Sequence, residues 1–395
     1  MFLKILFSFI FGVFLIIYMV SFGMIERYIT IVFTIFIYLL IKNIKKMNMK
    51  SIGIILVSIV VGMSVTSYSL FYFEYKSDHT DLQKSFEPKK NTAVLLVFEG
   101  EPAKYDLSIL LKNIEKDKMY KYIFTTPFHL YKVKRTYEEM GNSGYEEMCN
   151  NIYLKLSNRL DEGYDIFLGY ANNKLYYQDV IDKKIVKNNY KRIIVVPVTL
   201  TESKVYHRIV NDITLKKTHL KEIEFEFCDP LWNNKNIENS IVRRIINRKE
   251  GIDKEKIGII LLGEAFKEGS DKDNLLKNMK QEKIVIDHIK LKLKENEFEE
   301  RKILYANTYL NELQVKNFLE QLQSYGVEKF FIVNTGDIVD TIKNQYIIKK
   351  IVEHTKNMEG IDVCYIKGWG EDDLLIETLE FKIRSMNVKI WSSSN

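Results

Sequence analysis

The sequence predicts an α/β protein of two similar Rossmann-like domains, each with a four-stranded parallel sheet, preceded by a helical membrane anchor. Three observations carry that reading. Two passages echo one another, NTAVLLVFEGEP at 91–102 and EKIGIILLGEAF at 255–266, each a β-branched apolar run that ends in acidic residues and glycine. Short continuous apolar runs of this kind read as strands buried on both faces of a parallel sheet. Beyond them, apolar runs alternate with helix-forming sequence to the end of the chain, while the first 73 of the 395 residues have a composition of their own.

Taken in order, Phe2 to Val20 and Ile52 to Phe73 are apolar and long enough to cross about 30 Å of hydrocarbon, and Tyr28 to Ile41 is a shorter third candidate. These predict a multi-pass anchor over residues 1–76. No small-residue cleavage site follows the first segment, which argues against a signal peptide. Five basic residues near the spans fall on each side of a three-span arrangement, so the lysine and arginine count does not orient the anchor. Ser77 to Lys90, polar and closed by Pro88, reads as a linker.

Strands are expected at Thr92 to Glu99, Asp165 to Tyr170, Arg192 to Val198 and Glu222 to Phe227 in a first lobe over 91–240. A second lobe over 241–395 repeats the scheme with Lys256 to Leu262, Lys302 to Ala306, Lys329 to Asn334 and Asp362 to Ile366, with Asn311 to Tyr325 among its helices. Parallel strands need long crossovers, and helices supply them. Ligands in such folds sit at the carboxyl ends of the strands, which places Glu99, Glu101 and Glu264 at one site; an acidic residue in a βα loop also serves as an ordinary helix cap.

The anchor holds five of the chain's six net positive charges, leaving the soluble part nearly neutral, with no basic stripe of the kind nucleic acid requires. Cys149, Cys228 and Cys364 are scattered, odd in number and form no CxxC pair, so they indicate neither a disulfide framework nor a cysteine zinc site, as suits a cytoplasmic domain. None of the six histidines shows HxxxH or HExxH spacing.

Several passages match a known family in order. LLVFEGEP at Leu95 to Pro102 resembles the opening LLxxxGxP strand and loop of ferrochelatases, and YEEMGNSGYEEM resembles the family's tyrosine, paired-glycine and serine segment. YDIFLGYANNKLYYQDVIDK, KRIIVVPVTLTES and FCDPLW are similar to its next strands and loops, and GVEKFFIVNTGDIVDTIKNQY to its GVKxVxVxPxxFVSDHxETLxE passage. The likeness runs from Thr92 to Ile383. It implies a chelatase-like pair of lobes around a tetrapyrrole cleft, with iron or another divalent metal as substrate and no organic cofactor. It implies as substrate-binding residues Glu99, Gly100, Glu101, Pro102, His129, Tyr137, Gly141, Ser143 and Tyr170.

Two departures fall at the chemistry. The family's SAHGxP reads LLGEAF here, with Glu264 at or beside the histidine, and its DHxETL reads DTIKNQ, which keeps Asp340 but puts Thr341 at the histidine and Lys343 at the glutamate. Metal insertion strips two protons from pyrrole nitrogens and takes a divalent ion out of its water, so it needs a neutral imidazole or a carboxylate. Glu264 is the expected base and metal ligand, while Lys343 would pair with a propionate or with Asp340. Three functions stay open at this point. The first is ferrochelatase-like metal insertion of the haem-biosynthesis type. The second is non-catalytic tetrapyrrole or metal binding, presented to a membrane-protein partner. The third is an extracytoplasmic solute-binding module. Porphyrin or another tetrapyrrole and membrane lipid are the expected partners, nucleic acid is not, and the domain is expected at the cytoplasmic face of the cell membrane.

Overall fold

A computed structural model describes residues 2–44, 49–70, 92–116, 124–160, 163–217, 220, 223–263, 272–307, 312–355 and 362–393. The expected linker at 77–90, the end of the third apolar segment, His79 and Glu264 lie outside the described residues.

The chain opens with helices α1 (Phe2–Val20), α2 (Met24–Ile44) and α3 (Met49–Ser69). The first half then runs β1 (Thr92–Phe98), α4 (Leu107–Lys116), α5 (Thr126–Met140), α6 (Tyr145–Leu160), β2 (Asp165–Tyr170), α7 (Tyr177–Val180, continued as a π turn), β3 (Arg192–Pro197), α8 (Lys204–Lys217), β4 (Glu224–Phe227) and α9 (Lys235–Arg248). The second half is β5 (Ile257–Gly263), α10 (Lys272–Glu295), β6 (Ile303–Asn307), α11 (Glu312–Ser324), β7 (Lys329–Asn334), α12 (Ile342–Thr355), β8 (Asp362–Ile366) and α13 (Asp373–Ser393).

The eight strands form two four-stranded parallel sheets, ordered β2-β1-β3-β4 and β6-β5-β7-β8. Each half therefore uses one plan, with the echoing strands β1 and β5 second in their sheets. Leu95 stands opposite Phe167 and Val195, and Leu261 opposite Tyr305 and Val333. All seven residues of β1 and of β5 are buried, as strands covered by helices on both faces must be. Each observed strand agrees with its expected span to within two residues, and β2, β7 and β8 agree at both ends.

The molecule divides into two compact units. One holds α1–α3 together with α4 and α5, the segment that leaves the first half after β1. The other holds both sheets with α6–α13. In this second unit one apolar cluster spans both halves: Leu96, Ile152, Val196 and Ile241 of the first share it with Ile259, Ile286, Val333 and Leu379 of the second. The helix α9 packs on α10 and α13, so it is part of that shared core.

In the first unit, α1 and α3 lie in close contact through glycine. A Cβ on Gly12 would collide with the Ile59 carbonyl, and one on Gly62 with the Phe9 carbonyl. Aromatic pairs join α1 to α2, with Phe11 stacked on Phe33 at 4.8 Å between centroids. Among the described residues, α3 is the one helix long and apolar enough to cross a membrane; the apolar stretch Lys4–Val20 of α1 is shorter.

Candidate functional site

The carboxyl ends of β1, β3 and β7 carry a group of acidic and hydroxyl side chains, among them Glu99, Ser203, Asp337 and Thr341. The loop after β1 turns at Gly100, whose φ is +84° and whose Cβ, if present, would lie 2.8 Å from the Cβ of Tyr170. Glycine is required there on both counts. The turn delivers Glu99 and Glu101 to either side, and Asn173 holds it by donating to the Glu101 carbonyl at 2.7 Å.

Glu101 ties the two halves together. Its Oε1 accepts from the Ser143 hydroxyl and, at 2.8 Å, from the backbone N–H of Ile342, the first residue of α12. A carboxylate at a helix N-terminus meets unsatisfied N–H groups and the positive end of the dipole. Thr341 caps the same helix, its hydroxyl accepting from the Asn344 N–H at 3.3 Å and its carbonyl from the Gln345 N–H at 3.1 Å. The position that the resemblance aligns with a histidine is thus a helix cap. Lys343 is exposed in the first turn of α12.

After β7 the chain folds around two aspartates. Asp340 is buried with both oxygens engaged: Oδ1 accepts from Asn334 Nδ2 at 2.7 Å and the Gly368 N–H at 2.8 Å, and Oδ2 accepts from the Tyr365 hydroxyl at 2.7 Å. Those bonds fasten the β7 loop to the end of β8. Asp337 accepts from Asn334 Nδ2 at 3.1 Å and from the Asn344 amide, both at Oδ2. Asp337 and Glu99 line a common cavity of about 40 Å³ with Tyr145, Thr199, Ser203 and Thr341.

Burial pushes the Asp337 carboxyl up to about 7, aided by the charges of Glu99 and Asp340 and opposed by the amides of Asn334 and Asn344. Burial likewise pushes Glu101 up to about 7, against its bonds from Ser143 and the Ile342 N–H. Carboxyls that exchange protons near neutrality are what general acid and base chemistry requires; Asp337 lines the cavity, and Glu101 feels its charge. The neighbouring hydroxyl and thiol groups are held neutral: burial raises Tyr145, Tyr170, Tyr365 and Cys149.

The structure therefore brings Glu99, Gly100, Glu101, Ser143, Tyr170 and Asp340 to the strand ends of one unit. Tyr170 is 4% exposed, packed under Gly100, and has no open face for stacking. Pro102, His129, Tyr137 and Gly141 belong to the other unit. There the Tyr137 hydroxyl donates to the Pro102 carbonyl at 2.6 Å, Gly141 ends α5 with φ +81°, and His129 is exposed. Asp337, Asn334 and Tyr145 escaped sequence reasoning, although Asp337 in NTGD repeats the acidic residue after glycine-rich strand ends that singled out Glu99. A further buried carboxylate, Glu282 of α10, packs against Gly263 at the end of β5 beside the Tyr305 hydroxyl. Among the described residues, no three His, Cys, Asp or Glu side chains converge as a metal-holding group.

A family model described as CbiX matches residues 143–248, a little over a quarter of the chain, from the Ser143 loop to the end of α9. No curated protein matches. Among solved structures, the chain is similar to the sirohydrochlorin chelatase SirB from Bacillus subtilis subspecies spizizenii in complex with cobalt, at 9% identity and a TM-score of 0.49 over 75% of this chain and 95% of that one. SirB from Bacillus subtilis with Fe3+ gives 11% identity, a TM-score of 0.48 and the same coverage. DR2241 from Deinococcus radiodurans, a multi-domain protein with structural similarity to chelatases, gives 10% and 0.44 over 74% of this chain and 55% of that one. The fold is α/β with two four-stranded parallel sheets, and the CbiX match covers β2 to β4 of the first sheet together with α6 to α9.

Proposed function

We propose that this chain is a membrane-anchored chelatase of the class that inserts a divalent metal such as iron into a tetrapyrrole, with Glu101 and Asp337 as the proton-accepting carboxyls. The observation that carries the reading is the CbiX match at 143–248 beside two carboxyls poised near neutrality, Glu101 at the strand ends of the first half and Asp337 at those of the second. A pyrrole N–H gives its proton to a group that is ionised at working pH yet still basic, and a carboxyl near 7 meets both conditions. Glu99, on the same cavity, supplies further negative charge for an incoming cation. Glu264, next in sequence after β5 and outside the described residues, is kept as a proposed base and metal ligand.

A cavity of about 40 Å³ holds a few waters. Sites for flat organic ligands are about 300 Å³ or larger, so loading a macrocycle needs the halves to part. The contacts that would yield are the Glu101 bond to the Ile342 N–H, and the Thr201 to Asn278 and Glu202 to Gln281 bonds at 2.6 and 2.8 Å. The anchor reading rests on α3 and on the glycine contact that packs α1 against it, since close backbone approach at small residues is how membrane helices associate. A tethered, cytoplasmic site suits a macrocycle that partitions into lipid.

A second reading, tetrapyrrole binding without insertion, is favoured by Thr341: the described cavity lining has no imidazole, and the residue at the expected histidine position is committed to capping α12. Titrating purified full-length protein with porphyrin or sirohydrochlorin, then adding ferrous iron, separates the two. A Soret shift followed by metallated product supports insertion. A shift without product supports binding alone, and no shift removes both.

A further inference from the structure

The first unit contains a buried lysine that fixes its architecture. Lys134, on α5, is 0% exposed. Its ammonium pairs with Glu26 at 2.8 Å, donates to the Tyr18 carbonyl at 3.0 Å, and lies 4.9 Å from the centre of the Tyr18 ring. Tyr105, in the loop that leads into α4, donates its hydroxyl to the Val20 carbonyl at 3.0 Å. Tyr18 and Val20 are in the last turn of α1, where carbonyls have no helical partner, and Glu26 is in the first turn of α2. One cation thus sits at the negative end of one helix while its carboxylate partner sits at the positive end of the next. Leu111, Ile114 and Leu130 of α4 and α5 complete the docking by packing on Ile16, Met19, Val20 and Leu70.

The same contacts fix helix direction. Gly12 lies against Ile59 and Met63, and Met19 and Val20 share a cluster with Leu70, so α1 and α3 run side by side in the same sense. Two neighbouring parallel helices that both lie in a bilayer require the intervening chain to return through it. At 21 residues and about 1.5 Å per residue, α2 is about 30 Å long and so reaches across the hydrocarbon by length, although its composition, with Glu26, Arg27 and Lys42, falls short of that of α3.

The geometry points to a three-crossing anchor in which the α1–α2 turn, the end of α3 and the start of α5 form one interfacial surface seated on anionic phospholipid headgroups. This rests on the membrane-anchor reading and is independent of the chelatase reading. The surface has the composition of such a seat. Phe22, Met24, Ile25, Phe124 and Phe128 are exposed on these segments, as are Arg27 and Lys132, while Arg135 pairs with Glu138 at 2.7 Å. Apolar side chains enter the headgroup boundary while the cations meet lipid phosphates. Among the described residues no later helix is long and apolar enough to cross a membrane, so the chain after α3 is expected on the side of the α1–α2 turn.

The test uses full-length protein in phosphatidylcholine vesicles with and without phosphatidylglycerol. A Phe128→Trp substitution should add a blue-shifted emission that bromolipid quenches, more strongly when phosphatidylglycerol is present. Met24→Cys should react with a membrane-impermeant maleimide from the side on which protease digests the soluble unit, and Lys50→Cys only from the opposite side. Retention after alkaline carbonate extraction combined with an unquenched, fully aqueous emission, or with both cysteines reacting from one side, overturns the inference and leaves the anchor standing. Release of the whole chain by carbonate overturns the anchor and this inference together.

Discussion

Asp337→Asn should make the protein more stable at pH 8 than the natural chain. The substitution preserves shape, and both protein donors to Asp337 reach the same oxygen, so an asparagine carbonyl can accept from Asn334 and Asn344 in its place. What changes is the charge. An aspartate with an ordinary value near ~3.9 is pushed here to about 7, so between pH 4 and 7 the folded state keeps a proton that the unfolded chain has released. Stability therefore falls as pH rises through that window and stays low above it. Three pH units at about 1.4 kcal/mol each set a ceiling near 4 kcal/mol, and hydration of the cavity around the ionised carboxylate reduces this to about 2 kcal/mol. Denaturant unfolding in mild detergent measures it, with Trp369 as reporter: it is 2% exposed, and its indole donates to the Ile237 carbonyl at 2.8 Å. The variant should match the natural protein near pH 4, exceed it by about 2 kcal/mol at pH 8, and show a shallower slope between. Equal or lower stability at pH 8 would mean that Asp337 ionises at no cost, and the account of the site as a strained pair of carboxyls would fail.

Glu101→Gln keeps an acceptor for Ser143 and the Ile342 N–H, so the fold should persist while metal insertion drops by about 10²- to 10⁴-fold, measured as metallated product per unit time. In the natural protein that rate should climb as pH rises through about 7, because the acceptor carboxyls lose their protons there; a flat profile from pH 5.5 to 8 would remove them from the chemistry. Lys134→Met strands Glu26 in a largely buried position and should cost about 3 kcal/mol, read as faster proteolysis of α4 and α5, with most of the loss recovered by adding Glu26→Gln. Gly100→Ala forces a left-handed backbone on alanine and presses its Cβ on Tyr170, a loss of about 2 kcal/mol seen as an earlier thermal transition.

Much of the fold was legible because its signals are local. Apolar runs such as Thr92 to Phe98 and Ile257 to Gly263 read as strands because they are short, rich in branched residues and end at or near glycine, and a sheet covered on both faces buries all seven residues of each. The site was less legible because its chemistry comes from distant parts of the chain. Nothing near Glu101 announces that its carboxylate will sit on the N-terminus of a helix 241 residues later, and Thr341 reads as a lost histidine until the cap it makes is visible. Asp337 does not stand out in the sequence because acidity after a strand is common, and burial, which sequence does not display, is what raises it. The docking of α4 and α5 on the anchor was hidden for a similar reason: Lys134 sits in a helix of mixed charge, VKRTYEE, and its burial depends on Glu26 more than a hundred residues earlier.

The most direct test of the central claim is an optical titration of the full-length protein with a metal-free tetrapyrrole at pH 7.5, followed by anaerobic ferrous iron. The account predicts a saturable Soret shift, then conversion to the metallated spectrum at a rate that Glu101→Gln and Asp337→Asn each depress. An unshifted Soret band at saturating pigment, in a preparation whose fold is verified by Trp369 emission, would contradict it.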